Sequence, residues 1–516
     1  MSRASTKPPR QFVKTKLLQH QTAGLRISWG RKAFANLCEQ GTGKSLMILA
    51  EALAMYDKGI IDALFILAPN GVHTAWVLEQ CAMHCPDDVA WEAAYYVSTP
   101  TRKEKAALER LRSTKEAFHI LAMSYDSTLT AAGFKFAEGF LRSHRAMICA
   151  DESQRLKSPK ARRAKRAMNL RRHCEWRRIS TGTPITNAPV DAFSQFEFLQ
   201  EGMLGEDSYR TFVAHYAHIM PPTHGTMQHI YARLEQKFGR PLSDAERAKV
   251  GPQIVAQDEM GRPRYKNLEE LQRRIAEHSY RVLKKDVLDL PPKLYKTLYF
   301  SLTPRQRKAY DLMEEEYRYL LEDGTALYTS RLVAMGKLRQ LTSGFMMLPG
   351  GSIVYLEDNP RIEVLRDNVE DETQQGIVWS QYKEEQVNIR RMFTKLGQGC
   401  EVVNGDVAMK RRREIRDEFQ GGKLQWIAAH PGAMGTGYTL TAAQIVYYYS
   451  NGFNLEERIQ SEDRTHRIGT VGESMLYRDI AAIDTRDVNV CFSLQHKLDT
   501  AALIQGDPSQ PTRFGR

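Results

Sequence analysis

FANLCEQGTGKSLMILAEALAMY, Phe34 to Tyr56, carries a strand, a glycine turn and a helix in immediate succession. It opens as a short apolar run, turns through two glycines and continues as an apolar pattern at helical spacing. Strand, glycine turn and helix in that order make a cradle for phosphate. The first N–H groups of a helix have no partner inside it, and glycines let the backbone approach an anion closely. Gly41 and Gly43 supply the open backbone, with Thr42 between them in the cradle. Lys44 offers a cation to the β- and γ-phosphates of ATP, and Ser45 a hydroxyl to Mg²⁺. The general pattern has glycine where this chain has Cys38, so the octet alone is an incomplete match.

The alternation repeats along the chain on the C-terminal side of this segment. ALFILAP from Ala63, HILAMSY from His119, AMICADE from Ala146 and RRISTGTP from Arg177 are short apolar runs separated by helical patterns. Such runs read as strands of a parallel sheet covered on both faces, with functional residues at the carboxyl ends. Asp151 and Glu152 end one of them. Asp151 suits the Mg²⁺ shell, and Glu152 suits polarising the attacking water. Two partial motifs at strand ends of one sheet make ATP hydrolysis the reading.

YKTLYFSL from Tyr295 alternates apolar and polar residues as a strand does, and a second series follows. That series begins with GIVWSQY from Gly376 and runs through CEVVNGD from Cys400, LQWIAAHP from Leu424, AQIVYYYS from Ala443 and SMLYRDIAA from Ser474. The expected fold class is therefore α/β: two lobes of parallel sheet flanked by helices, facing a cleft. Lobe one is expected over 1–200 and lobe two over 291–495. A mainly helical insertion fills 201–290, and a mobile tail runs over 496–516.

Composition narrows the partners. Lys plus Arg is 73 against 61 for Asp plus Glu in 516 residues, a formal charge of +12 that favours a polyanionic partner. Hydrophobic residues at 42% exclude a disordered chain, and seven cysteines make no disulfide framework. Cys81, His84 and Cys85 lack a second pair at zinc spacing. The start MSRASTKPPRQF has no secretion-signal core, and IIDALFILAP from Ile60 is too short to span a bilayer and is broken by Asp62. The expected compartment is a reducing cytosol, bacterial or of a phage-infected host, or a nucleus if eukaryotic, with no membrane contact.

Arg464 and Arg467 lie three apart in QSEDRTHRIGT, so both can reach one helix face and meet charge developing on a phosphoryl group. With that segment the chain resembles the SWI/SNF-type DNA translocases of helicase superfamily two. LLQHQTAGL, CEQGTGKS, LFILAPNGVHTAW, DESQRLKS, STGTPITN, YRVLKKDVLDLPPK, GIVWSQYKEEQ, AMGTGYTL and QSEDRTHRIG are similar to that family's motifs and follow its order. The resemblance implies RecA-like lobes, with Gln21 as the amide that reads the base and with Gly437 and Gln460 as further nucleotide contacts. It implies Arg464 and Arg467 as catalytic cations. It also implies a monomer that tracks the backbone of duplex or branched DNA without sequence preference. Four residues depart from the family: Cys38 for Asp, Gln154 for the final His of DEAH, Met434 for Gly and Thr439 for Asn. An amide at 154 can still bridge by hydrogen bonds.

For the nucleic-acid track, basic runs span Arg155 to Arg178 in one lobe and MKRRREIR from Met409 in the other. Lys157 and Arg163 are the first candidates, as they lie near the cleft in the resemblance. Ser124, Tyr125, Ser380 and Gln381 sit at strand ends where the family touches backbone. Trp76 and Trp379 either pack the lobes or stack on bases. Residues 202–274 suit a protein-partner surface or a DNA wedge. Two other functions fit the motifs: a helicase separating strands of branched DNA or RNA, and a nucleotide-gated inhibitory binding protein.

Overall fold

The computed structural model describes residues 12–508 and 513, apart from 221–226, 229–230, 233, 237–238, 245, 247–253, 259–261, 323–327, 357 and 435–437. One sheet contains β1 (Ala33–Asn36), β2 (Ala63–Ala68), β3 (Trp91–Tyr96), β4 (Phe118–Ser124), β5 (Ala146–Asp151), β6 (Trp176–Ser180) and β7 (Ser279–Tyr280). Their order is β3-β4-β2-β5-β6-β1-β7, and every neighbouring pair is parallel. A second, equally parallel sheet contains β8 (Lys293–Phe300), β9 (Gly376–Trp379), β10 (Cys400–Val403), β11 (Trp426–Ala429), β12 (Ile445–Tyr448) and β13 (Met475–Ala482), in the order β8-β13-β12-β9-β11-β10. This is the two-lobed α/β architecture expected from the alternating runs. In β2, β4 and β5 every residue is buried, because helices cover both faces and leave no polar side to alternate with.

Six helices position the functional residues: α1 (Gln19–Ser28), α2 (Lys44–Asp57), α3 (Arg162–Arg171), α4 (Leu268–Glu277), α5 (Leu455–Thr465) and α6 (Arg486–Gln505). The structure redraws two expected boundaries. The chain returns to the first sheet at β7, where Ser279 lies opposite Ala35, so the expected insertion ends inside lobe one. Its described residues also include a two-residue antiparallel ribbon, Ile219–Met220 against Ile254–Val255. The tail expected from 496 is instead the second half of α6. Ala501 and Ile504 join Leu271 and Ile275 of α4 in the apolar core of the first lobe. Apolar residues at 498, 501, 502 and 504 keep a buried stripe to the end of α6, and that burial orders it.

The helix that carries the phosphate turn is pinned from behind. Arg178 on β6 donates through Nε and Nη2 to both carboxylate oxygens of Glu51 on α2, at 2.9 and 2.7 Å, and both side chains are buried. Arg178→Ala leaves the Glu51 charge uncompensated, which costs about 3–5 kcal/mol. Denaturant titration should place the variant's unfolding midpoint well below the wild type; coincident curves would contradict this role.

No helix among the described residues is long and apolar enough to cross a membrane. All seven cysteines are free thiols. His84 is bonded to Thr15, and no described group of three His, Cys, Asp or Glu residues is placed to hold a metal.

Candidate active site

The turn between β1 and α2 takes a shape that only glycine adopts easily. Gly41 and Gly43 have φ of +86° and +85°. A Cβ on Gly43 would lie 2.2 Å from Nε2 of Gln21, so space as well as conformation excludes a side chain. That amide belongs to α1 and braces the turn: Nε2 donates to the Thr42 carbonyl at 3.0 Å, and Oε1 accepts the Leu18 N–H at 2.9 Å. His20 bonds the same carbonyl at 2.9 Å. No side chain caps α2, and its first turn carries no acid, which leaves that end ready for an anion. Lys44 is buried and donates to the Glu39 carbonyl at 3.3 Å, which also accepts the Thr42 hydroxyl at 2.7 Å. Gly43→Ala brings strain of about 1–3 kcal/mol in the turn and displaces Gln21. Titration with a fluorescent nucleotide should show binding weaker by ~5-fold to ~150-fold, the same energy expressed as affinity. Unchanged affinity would contradict the brace.

At the end of β5, Asp151 is held on three sides. Its Oδ2 accepts from Trp76 Nε1 at 2.8 Å, its Oδ1 from the Glu152 N–H at 3.1 Å, and its carbonyl from the Tyr125 hydroxyl at 2.8 Å. Glu152 follows at φ +50°, left-handed and strained for a residue with a Cβ. Loss of solvation raises both carboxyls above their ordinary range, Glu152 to about 7, with the Lys44 cation pulling the other way. Gln154 then ties the neighbourhood together. It donates through Nε2 to Glu152 Oε2 at 2.9 Å and to Glu456 Oε1, on α5 of the other lobe, at 3.3 Å. Its Oε1 accepts the Thr181 hydroxyl at 2.6 Å. The amide bridging expected of this departure is thus present in the geometry.

Between the lobes lies a cavity of about 540 Å³. Glu39, Gln40, Glu152 and Gly182 contribute from the first lobe, and Gln460, Asp463 and His466 from the second. Lys44 and Ser45 are not on its wall, and neither are Arg464 and Arg467. Arg464 is buried, donates to the Pro431 carbonyl at 2.7 Å and lies 5.6 Å from the Trp379 ring; burial lowers its pKa to about 10. Arg467 donates to Thr439 Oγ1 at 2.9 Å. The structure thus holds both arginines within lobe two. Gly437 lies outside the described residues. Met434 is buried in the lobe-two core, and Cys38 is buried beside β7 with its thiol pushed up to about 11 by burial.

Most of the nucleic-acid candidates are buried or have side-chain partners within the protein. Ser124 and Tyr125 are buried; Ser124 bonds Ser127 Oγ at 2.7 Å, and the Tyr125 hydroxyl serves Asp151. Ser380 is buried as well, whereas Gln381 is half-buried beside Gly452. Trp76 and Trp379 are buried, so they pack and cannot stack on a base. Lys157 donates to Thr186 Oγ1 at 2.8 Å and pairs with Glu456 at 3.4 Å, while Arg163 on α3 lies 3.7 Å from Asp126. Within the first basic run, Arg171 and Arg178 are buried, paired with an exposed Glu201 and a buried Glu51, and Arg155, Lys160, Arg162 and Lys165 are exposed. In the second run Arg411 pairs with Glu418, and Arg412 donates to three backbone carbonyls.

Two residues were not read as part of the site. Lys284 sits in the cavity with its stem over Gly41, its N–H on Glu39 Oε2 at 2.7 Å and its ammonium on Asp463 and the His466 carbonyl. Its signal was the paired lysine of YRVLKKDV. Glu456 has none beyond being acidic in the first turn of α5.

Residues 20–344 match the SNF2-related domain, and residues 360–469 the helicase conserved C-terminal domain. The chain is similar to the ATP-dependent helicase fft3 of Schizosaccharomyces pombe, 21% identical over 97% of this chain and 58% of the relative. It is also similar to an uncharacterized ATP-dependent helicase of Mycoplasma pneumoniae, 24% identical over 88% of this chain and 38% of the relative. A third relative is the CHD3-type chromatin-remodeling factor PICKLE of Arabidopsis thaliana, 23% identical over 98% and 36%. The chain therefore spans less than two thirds of the length of these curated relatives. Among solved structures it is similar to the Sulfolobus solfataricus SWI2/SNF2 ATPase core in complex with dsDNA, with 21% identity, 97% and 95% coverage and a TM-score of 0.39.

Proposed function

Because the chain belongs to the SNF2-related family, we propose that it is an ATP-dependent motor that moves along duplex DNA by its phosphate backbone, hydrolysing ATP between its lobes. The observation that carries this reading is Gln154. One amide joins Glu152, Thr181 and a carboxylate of the opposite lobe, so the group placed to polarise water is tied to the relative position of the lobes.

In this reading the N-terminus of α2, opened by Gly41 and Gly43, takes the phosphates, and Lys44 leaves the Glu39 carbonyl to pair with their charge. Ser45 and Asp151 are hard oxygen donors of the kind Mg²⁺ uses beside substrate phosphates, and they fit that ion as its holders. Bound there, Mg²⁺ supplies positive charge to the phosphate oxygens. Glu152 draws a proton from the attacking water. Arg464 and Arg467 stabilise charge developing on the transferring group, which requires Arg467 to leave Thr439. Gln21 acts here as a brace of the turn as well as a candidate for the base. Gln460 reaches the nucleotide from the cavity wall. Arg155, Lys160, Arg162 and Lys165 offer a track to DNA phosphates, and grip through them weakens steeply with salt.

Two assays separate the movements. Displacement of a triplex-forming strand with ATP, together with little unwinding of a forked duplex, is the expected pair of results. Efficient unwinding without triplex displacement would replace translocation by strand separation.

A further inference from the structure

Glu456 opens α5 on the second lobe, yet its carboxylate is buried against the first. Oε1 accepts from Gln154 at 3.3 Å and from Gln460 at 3.4 Å, and Oε2 accepts from Lys157 at 3.4 Å. Gln154 has both of its N–H donors and its carbonyl engaged: the N–H groups go to carboxylates, and the carbonyl accepts the Thr181 hydroxyl. A histidine at this place offers two ring nitrogens and cannot make three such bonds at once. Gln154 is fully buried, so no solvent replaces a lost partner, and its terminal amide torsion turns freely once released. Glu152, held in a strained backbone conformation, depends on that amide for a fixed carboxylate.

We propose that Glu456 is a positioning residue for hydrolysis: from the second lobe it fixes Gln154, and through it Glu152, so the carboxylate is set only while α5 lies against the first lobe. This rests on the hydrolytic reading above. It makes Gln154 and Glu456 a matched pair in which the amide and the carboxylate work as one unit.

The test uses the full chain with saturating duplex DNA and reads kcat and KM for ATP, alongside the affinity for a fluorescent ADP. Glu456→Ala should lower kcat at least ~10-fold while KM and ADP affinity stay within about twofold, the signature of an interaction made in the reacting complex. Glu456→Gln keeps an acceptor for the Gln154 N–H and should recover most of that loss. The double variant Gln154→Ala/Glu456→Ala should be no slower than Gln154→Ala alone, as coupled residues require. If Glu456→Ala does not fold by circular dichroism, Glu456→Asp withdraws the acceptor by one methylene and should show the same kcat loss. Wild-type kcat in Glu456→Ala or Glu456→Asp, additive losses in the double variant, or a loss confined to ADP affinity would overturn the proposal alone. A wild-type chain with no turnover would overturn the hydrolytic reading and this proposal with it.

Discussion

Lys44→Ala is expected to abolish ATP turnover. Two effects act in the same direction. The substitution removes the cation beside the anion-ready end of α2, where one missing charge or donor typically costs 10²–10³ or more in rate, on the order of 3–4 kcal/mol. It also removes the positive charge that opposes desolvation at Asp151 and Glu152, so both carboxyls rise further above their ordinary range. Phosphate release measured with saturating ATP and duplex DNA should fall below ~1% of wild type. Turnover close to wild type would refute the assignment of the turn.

Arg467→Ala should spare the ground state and damage the reaction. Its guanidinium rests on Thr439 Oγ1 and is off the cavity wall, so nothing in this arrangement shows it contributing to the hold on substrate. A cation that arrives only as charge develops acts on kcat, by a factor on the order of 10³ for arginines in this role. Single-turnover rates should drop by that order while fluorescent-nucleotide affinity stays near wild type. A loss seen only as weaker binding would remove Arg467 from the catalytic group. Arg464 differs, because burial and its bond to Pro431 give it a structural part too, and its replacement should also destabilise lobe two.

How an element is buried governed whether it could be read in the sequence. β5 was legible because a strand covered on both faces is a continuous apolar run, and its charged end stands out. β3 was not, since WEAAYY lies at the sheet edge, half-exposed, with no such run. β7 is two residues long and exists only through pairing with β1, a contact between distant parts of the chain. Within the site, Gly41, Gly43, Lys44, Asp151 and Glu152 announced themselves because phosphate chemistry needs those residue types at fixed spacing. Ser124 and Tyr125 misled because sequence shows that a residue is polar but not which way it turns. Arg171 and Arg178 misled for the same reason, having acidic partners elsewhere in the chain. Glu456 was invisible: it meets Gln154 across 302 residues, and only docking of the lobes gives it meaning.

The most direct measurement is ATP turnover by the purified chain with duplex, single-stranded and forked DNA and with RNA, at two salt concentrations. The expected result is turnover stimulated most by duplex DNA, with the stimulation falling steeply as salt rises. Turnover that stays near zero with every nucleic acid, while nucleotide still binds, would contradict a DNA-driven motor.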